Sequence, residues 1–390
     1  MSKFINIIKL SLTILISILI SLYLFEVYQI FFDTKNGYKK IVQQYYNETG
    51  KIYAERTKYE IFSDLKNTDQ NISVSIYPMS HLKKSGLNIF PLSGISNVES
   101  IHCNENGFYS IYKSDRYGFN NPDEVWNKSS IEFLLIGDSY THGACVNRPY
   151  DIGSNLRKLS NKNVVNLGFT GNGPLIEYAT LKEYLNPKVK NILWIYYSGN
   201  DLTDLSRELE NDILKKYLTD QNFSQKLINN QPLIDEINRQ TLDNLILDTQ
   251  FQNLKKNSKL KYKILKFLQL DRTKDKIKVL FLKKDYNVKN LETFKIILQQ
   301  VKSLSIKNNS KLYFVYIPDF YRHRDKNYPT GEEKIIEDLL KQLEIPIINI
   351  QKEFFENENP LKYYPFKIRH HYTQEGYYEV SKTIFNKLNK

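Results

Sequence analysis

The sequence predicts a three-layer α/β/α protein, with about five parallel strands, a transmembrane helix in front and a helical insertion within. Three observations carry this expectation. Apolar runs of strand length recur from residue 131 onward, and the first three stop at loops rich in Gly, Asn or Ser. Segments with helical apolar spacing separate them, and an order of strand, helix, strand, helix, strand favours parallel pairing with right-handed crossovers. The third is an apolar stretch from Phe4 to Phe25, broken only by Lys9 and about 22 residues long, enough to span a bilayer at 1.5 Å rise per residue.

The first strand is Ile131–Gly137, which delivers Asp138, Ser139, Tyr140, Thr141, His142 and Gly143 to the C-terminal edge of a sheet. Open α/β sheets keep their chemistry there, because loop residues and helix N-termini converge on the crevice beyond the strand ends. A helix from about Tyr150 to Leu159 leads to the second strand, Asn163–Gly168, and its loop Phe169-Thr170-Gly171-Asn172-Gly173-Pro174. A helix from Pro174 to about Leu185 leads to the third, Asn191–Tyr197, followed by Ser198-Gly199-Asn200-Asp201. Parallel pairing brings Ser139, Gly171 and Asn200 to one edge. Further on come a helix at about Asn290–Ile306, a strand Leu312–Ile317, a helix at about Glu332–Leu343 and a strand Ile345–Ile350. The segment Arg369-His370-His371-Tyr372-Thr373-Gln374-Glu375-Gly376 then precedes a last amphipathic helix.

Gly-Asp-Ser, a Gly in a Gly-rich turn, Gly-Asn-Asp and His-x-Thr-x-x-Gly, in that order, make residues 129–390 resemble the SGNH (GDSL-type) hydrolase superfamily. The resemblance implies a flavodoxin-like sheet and an ester hydrolase. By position it implies Ser139 as nucleophile with its N–H as oxyanion donor, the Gly171 N–H and the Asn200 amide as further donors, and His371 as general base. Elementary chemistry asks for the same residue types. A serine hydroxyl is a weak nucleophile until an imidazole takes its proton, and the oxyanion needs preorganised donors about 3 Å away.

One position departs from the family pattern. The aspartate expected two or three residues before the histidine is replaced by Ile368 and Arg369. Losing an orienting carboxylate costs on the order of 10⁴ in turnover in a well-studied triad. Either the ring is held by a carbonyl or a remote acid such as Asp319, or catalysis has been lost. His142 reads as a loop residue rather than a base, and Thr373 as the N-cap of the last helix.

The composition, 41% hydrophobic and 13% aromatic over 390 residues, supports a folded core and excludes a disordered chain. No Ala-x-Ala-like cleavage site follows Phe25, so residues 1–30 read as an uncleaved signal anchor. Lys3 and Lys9 lie on the N-terminal side of the span, while Glu26 and Asp33 come first beyond it, ahead of Lys35, Lys39 and Lys40. That charge distribution places the N-terminus in the cytoplasm and the rest on the periplasmic or extracytoplasmic side of the membrane. Cys103 and Cys145 are the two cysteines; an exported domain permits one bridge between them, and two free thiols remain the alternative. No metal-ligand spacing or phosphate loop occurs, so no cofactor is expected. The predicted export disfavours nucleic acid as a partner despite a net charge of +12.

Residues 31–128 form a juxtamembrane extension of short β-like runs, and Ser114–Pro122 reads as a turn-rich lead that packs near the active-site mouth. The insertion, about 205–287, is helix-forming and charged. Its part from Gln252 to Asp285 holds 12 Lys/Arg against 3 Asp/Glu, either a solvated face or a surface for anionic lipid or acidic glycan. The sequence reading is thus a membrane-anchored serine esterase acting on an ester, O-acetyl on an envelope carbohydrate. A degenerate module that binds acylated glycan or scaffolds an envelope complex, and an O-acyltransferase, stay open beside it.

Overall fold

A computed structural model describes residues 2–29, 36–54, 56–84, 86–257, 259–274, 288–325 and 328–389. The chain forms two compact units, Met1–Tyr53 with Leu245–Asp285, and Ala54–Asn244 with Tyr286–Lys390. In the first unit, helix Ser2–Tyr28 contains one segment, Phe4–Tyr28, long and apolar enough to cross a membrane, with mean hydropathy 2.3. At its C-terminal end the Glu26 carboxylate accepts from the Thr273 N–H at 2.8 Å and the Thr273 hydroxyl at 2.7 Å. The Tyr23 hydroxyl donates to the Leu268 carbonyl at 3.0 Å. The later part of the insertion therefore folds with the apolar N-terminal helix. The basic stretch beyond residue 274 lies outside the described residues.

The second unit holds two sheets. Strands β1 (Ile72–Val74), β2 (Glu99–Ile101) and β3 (Ile111–Lys113) make a small sheet in the extension, with β1 and β2 parallel and β2 and β3 antiparallel. Strands β4 (Ile131–Gly137), β5 (Val164–Asn166), β6 (Val189–Tyr197), β7 (Lys311–Ile317) and β8 (Ile347–Asn349) make the main sheet. It is fully parallel, in the order β5-β4-β6-β7-β8. The chain steps out from β4 to β5 and returns across β4 to β6. That reversal opens a crevice at the carboxyl end of β4, where flavodoxin-like sheets hold their ligands.

Side-chain alternation along each strand decides the two cores. Leu134, Ile136, Trp194, Tyr196 and Phe314 face helices Pro174–Tyr184, Val288–Lys307 and Gly331–Gln342. Phe133, Leu135, Leu193, Ile195 and Val315 face helices Ile152–Ser160 and Gln374–Leu388. Burial on both faces is why the strands read as continuous apolar runs rather than alternating ones. Each such side chain contributes about 1.5–3 kcal/mol relative to exposure.

The insertion begins with helices Asp201–Glu208 and Asp212–Thr219, then Gln231–Asn257. Part of the last packs on the extension. The Asn238 amide donates to the Ser93 carbonyl at 3.0 Å and its oxygen pairs with His81 Nε2 at 2.9 Å, while Asp235 accepts from Ser96 N–H and hydroxyl. Asp115, in the turn-rich lead, organises that turn by accepting from the Tyr117 and Phe119 N–H groups, the Asn121 amide and the Trp126 indole. Burial pushes the Asp115 carboxyl up to about 6 despite these donors. Next to it, the Asn120 amide donates to the His142 carbonyl at 2.9 Å, so the lead packs against the turn that carries Ser139.

Candidate active site

Strand β4 ends at Gly137, and the helical turn Ser139–His142 starts at once. A Cβ at Gly137 would lie 2.1 Å from Thr141 Oγ1 and 2.4 Å from the Ile195 carbonyl, so only glycine lets strand and turn meet this closely. Asp138 caps the turn by accepting from the Tyr140 N–H at 3.0 Å. Ser139 is thereby presented at the crevice, 8% exposed, with its hydroxyl 3.0 Å from Asp138 Oδ2 and 2.9 Å from His371 Nε2. Burial raises the Asp138 carboxyl to about 6, against the N–H, histidine and hydroxyl contacts that lower it.

The histidine loop is fixed at both ends. The Tyr140 hydroxyl donates to the His370 carbonyl. Past the histidines, the Thr373 hydroxyl accepts from the Gly376 N–H at 3.1 Å, which makes Thr373 the N-cap of the closing helix. His370 turns its ring to the Tyr321 hydroxyl, Nε2 at 3.1 Å, while His371 faces Ser139.

The carboxylate behind His371 comes from the extension. Glu105 lies in the loop between β2 and β3; its Oε1 is 3.2 Å from His371 Nδ1 and its Oε2 accepts from the His371 N–H at 2.9 Å. Glu105 fixes the tautomer: Nδ1 carries the hydrogen and Nε2 is left as the acceptor facing Ser139. Burial alone would raise the Glu105 carboxyl, but the charge of His371 and the two hydrogen bonds outweigh it and pull it down to about 2. The same pair acts oppositely on the imidazole. Burial lowers its pKa, and Glu105, with help from Asp138, more than offsets that and raises it.

The remote acid suggested by the sequence, Asp319, is engaged elsewhere: it accepts from the Tyr197 hydroxyl at 3.0 Å, the Tyr328 hydroxyl at 2.9 Å and the Tyr321 N–H at 3.1 Å. The ring's partner is Glu105 instead, 266 positions away in sequence. Sequence reasoning missed Glu105; the signal that could have found it is Cys103, two residues before it. That cysteine forms a disulfide with Cys145, six residues past Ser139.

Gly171 and Asn200 occupy the loops after β5 and β6, on either side of β4. Gly171 has φ +78°, and a Cβ there would meet Met79 Sδ at 2.3 Å. With the Gly171 N–H as the oxyanion donor that the sequence resemblance implies, Gly171→Ala is expected to lose about 10²-fold in kcat on an ester, because the loop must move and that N–H with it. Steady-state kinetics check this, and adding Met79→Ala should recover part of the loss. Asn200 precedes helix Asp201–Glu208, and its amide nitrogen donates to Asp204 Oδ2 at 2.5 Å.

Two supports of the Gly171 loop were not visible in sequence. Glu208 accepts from the N–H groups of Gly173, Leu175 and Ile176 at 2.6, 2.9 and 3.3 Å, capping helix Pro174–Tyr184. Burial nevertheless pushes its carboxyl up to about 8. On the other side the Thr170 hydroxyl lies between His102 Nε2 at 2.8 Å and His142 Nδ1 at 3.2 Å, and the two imidazoles pack with centroids 4.2 Å apart. The Thr170 N–H also donates to His142 Nδ1 at 3.3 Å, so this nitrogen is unprotonated. Burial lowers the His142 pKa to about 3, which keeps the ring neutral.

The chain is similar in structure to a protein assigned to the G-D-S-L lipolytic family from Desulfitobacterium hafniense DCB-2. The identity is 14%, covering 66% of this chain and 99% of that one, with a TM-score of 0.34. It is also similar to an acetyl xylan esterase, AlAXEase, at 11% identity, 66% and 100% coverage and a TM-score of 0.36. No family model matches the chain, and no curated protein matches it.

Proposed function

We propose that this chain is a membrane-anchored serine esterase that cleaves an O-acyl ester, O-acetyl on an envelope carbohydrate. The observation that carries the reading is the ordered contact of Ser139 Oγ with His371 Nε2, with Glu105 behind the ring. In this reading the Ser139 hydroxyl gives its proton to Nε2 as Oγ attacks the acyl carbonyl, and Glu105 stabilises the imidazolium that forms. The oxyanion is held by the N–H groups of Ser139 and Gly171 and by the Asn200 amide, which exchanges Asp204 for the developing charge. The imidazolium of His371 then protonates the leaving sugar oxygen, releasing the sugar hydroxyl, and the acyl-serine is hydrolysed by a water that His371 deprotonates in turn.

The carbohydrate and the extracytoplasmic location rest on the predicted anchor and on the sequence resemblance. A bridged Cys103–Cys145 pair fits an oxidising compartment. The test is acetate release by the full-length protein in detergent, from an O-acetylated polysaccharide and from p-nitrophenyl acetate. Release from both supports the reading. Acetyl groups recovered on an added sugar acceptor would instead make the protein a transferase, and polysaccharide binding without release would make it a binding module.

A further inference from the structure

The acid that orients the base is not part of the main sheet. Glu105 sits in the loop joining β2 and β3, in a separate sheet. A carboxylate delivered this way must still sit within about 0.5 Å of its working position, since a misplacement of 1 Å costs on the order of 10²-fold. The loop has its own means of meeting that tolerance. Two residues before Glu105, Cys103 is bonded to Cys145 across 42 positions of sequence. One residue after it, the Asn106 amide donates to the Cys145 carbonyl at 2.9 Å. Cys145 Sγ itself lies 4.0 Å from His371 Nδ1. The residue before the bridge, His102, reaches the other half of the site through Thr170, next to Gly171. Five consecutive residues, 102–106, thus touch both the base and the oxyanion loop, and one covalent bond ties them to the chain that carries Ser139.

We propose that Cys103–Cys145 is a positioning device for catalysis. It holds Glu105 on His371, and opening it by a dithiol turns the enzyme down without unfolding it. The inference rests on the esterase reading and adds a thiol–disulfide control to it. Cys145 is fully buried and Cys103 only partly so. A thiolate of the dithiol therefore attacks Cys103 Sγ, forming a mixed disulfide and expelling the Cys145 thiolate, which takes up a proton. The second thiol of the reagent then displaces Cys103. The protein gains two thiols and the reagent becomes a disulfide, a balanced two-electron exchange. Loop 102–110 is then held by non-covalent contacts, among them the Ser110 N–H to the Cys103 carbonyl at 2.9 Å, the Asn104 amide to the Ala54 carbonyl at 2.8 Å and the packing of the His102 ring on His142. Glu105 is free to leave the ring.

The experiment compares the full-length protein in detergent, oxidised and after dithiothreitol, with Glu105→Gln in the same two states. It reads kcat, KM and the acid limb of kcat/KM on an aryl acetate, far-UV circular dichroism, and the His371 titration by NMR. Reduction is expected to lower kcat by about 10²-fold with KM changed by less than about 3-fold, to move the acid limb and the His371 pKa down, and to leave the circular dichroism unchanged. Reoxidation restores all of these. In Glu105→Gln, reduction should cost less than about 2-fold more, because both changes remove the same contact. The proposal is overturned if the reduced protein keeps the oxidised His371 pKa, or if reduction costs Glu105→Gln as much as it costs the unmodified protein. The NMR titration does not depend on turnover. A His371 pKa that falls on reduction in a protein without ester turnover would therefore support the device while removing the esterase reading.

Discussion

Replacing Ser139 with alanine is expected to lower ester turnover by about 10⁴-fold or more, leaving only what the oxyanion donors and binding supply. The hydroxyl meets both requirements of a nucleophile here, a position at the end of β4 and an imidazole nitrogen 2.9 Å away. Alanine keeps the backbone N–H and fits the space left by serine. It removes the single hydrogen bond the hydroxyl can donate, to Asp138 or to His371, at a net cost of about 1 kcal/mol, so the melting temperature should move by only a few degrees. His371→Ala should match this loss in activity, and the double variant should lose no more, because the two side chains act as one unit. Steady-state kinetics on the three variants, with thermal unfolding alongside, check the set.

Glu105→Gln is expected to cost on the order of 10⁴ in kcat, an effect of the tautomer rather than of charge alone. Both carboxylate oxygens of Glu105 accept, one from Nδ1 and the other from the His371 N–H. An amide has one acceptor oxygen. If that oxygen takes the backbone N–H, the NH₂ faces Nδ1, which must give up its hydrogen, and Nε2 becomes a donor unable to take the proton of Ser139. The pH profile carries the sign. The base must be neutral, so kcat/KM rises with pH through the His371 pKa. Glu105 raises that pKa against the burial that lowers it. In Glu105→Gln the acid limb should therefore move to lower pH while the plateau falls. Glu105→Asp, which keeps both acceptors on a shorter side chain, should restore part of kcat.

These effects divide along the same line as what the sequence disclosed. Ser139, Gly171 and Asn200 follow apolar runs that end on one sheet edge, so local pattern and parallel topology together place them, and the parallel pairing needs only the alternation of strands and helices. Strand limits shift both ways: the second strand, expected at Asn163–Gly168, is Val164–Asn166 and the last, expected at Ile345–Ile350, is Ile347–Asn349, whereas the third begins at Val189 rather than Asn191 and the fourth at Lys311 rather than Leu312. Glu105 was not legible. It lies in a segment of mixed polarity with no periodicity, in a loop of a sheet that shares no strand with the main one, and contacts invisible in sequence, the Cys103–Cys145 bridge and the Asn106–Cys145 hydrogen bond among them, bring it beside the nucleophile turn. With that pairing open, Asp319 at the end of β7 was the more natural guess, and its tyrosine partners could not be foreseen. The insertion showed its helices but not its partners. An amphipathic pattern marks a buried face without saying what covers it, and here the partners are the extension at Ser93 and Ser96 for one part and the apolar N-terminal helix for the other.

The most direct test of the central claim, that His371 held by Glu105 activates Ser139, is the intact mass of the full-length protein after treatment with a fluorophosphonate. The account predicts a single adduct that maps to Ser139, is absent from Ser139→Ala and His371→Ala, and forms much more slowly in Glu105→Gln. A folded protein that takes up no adduct, or one labelled equally well without His371, would contradict it.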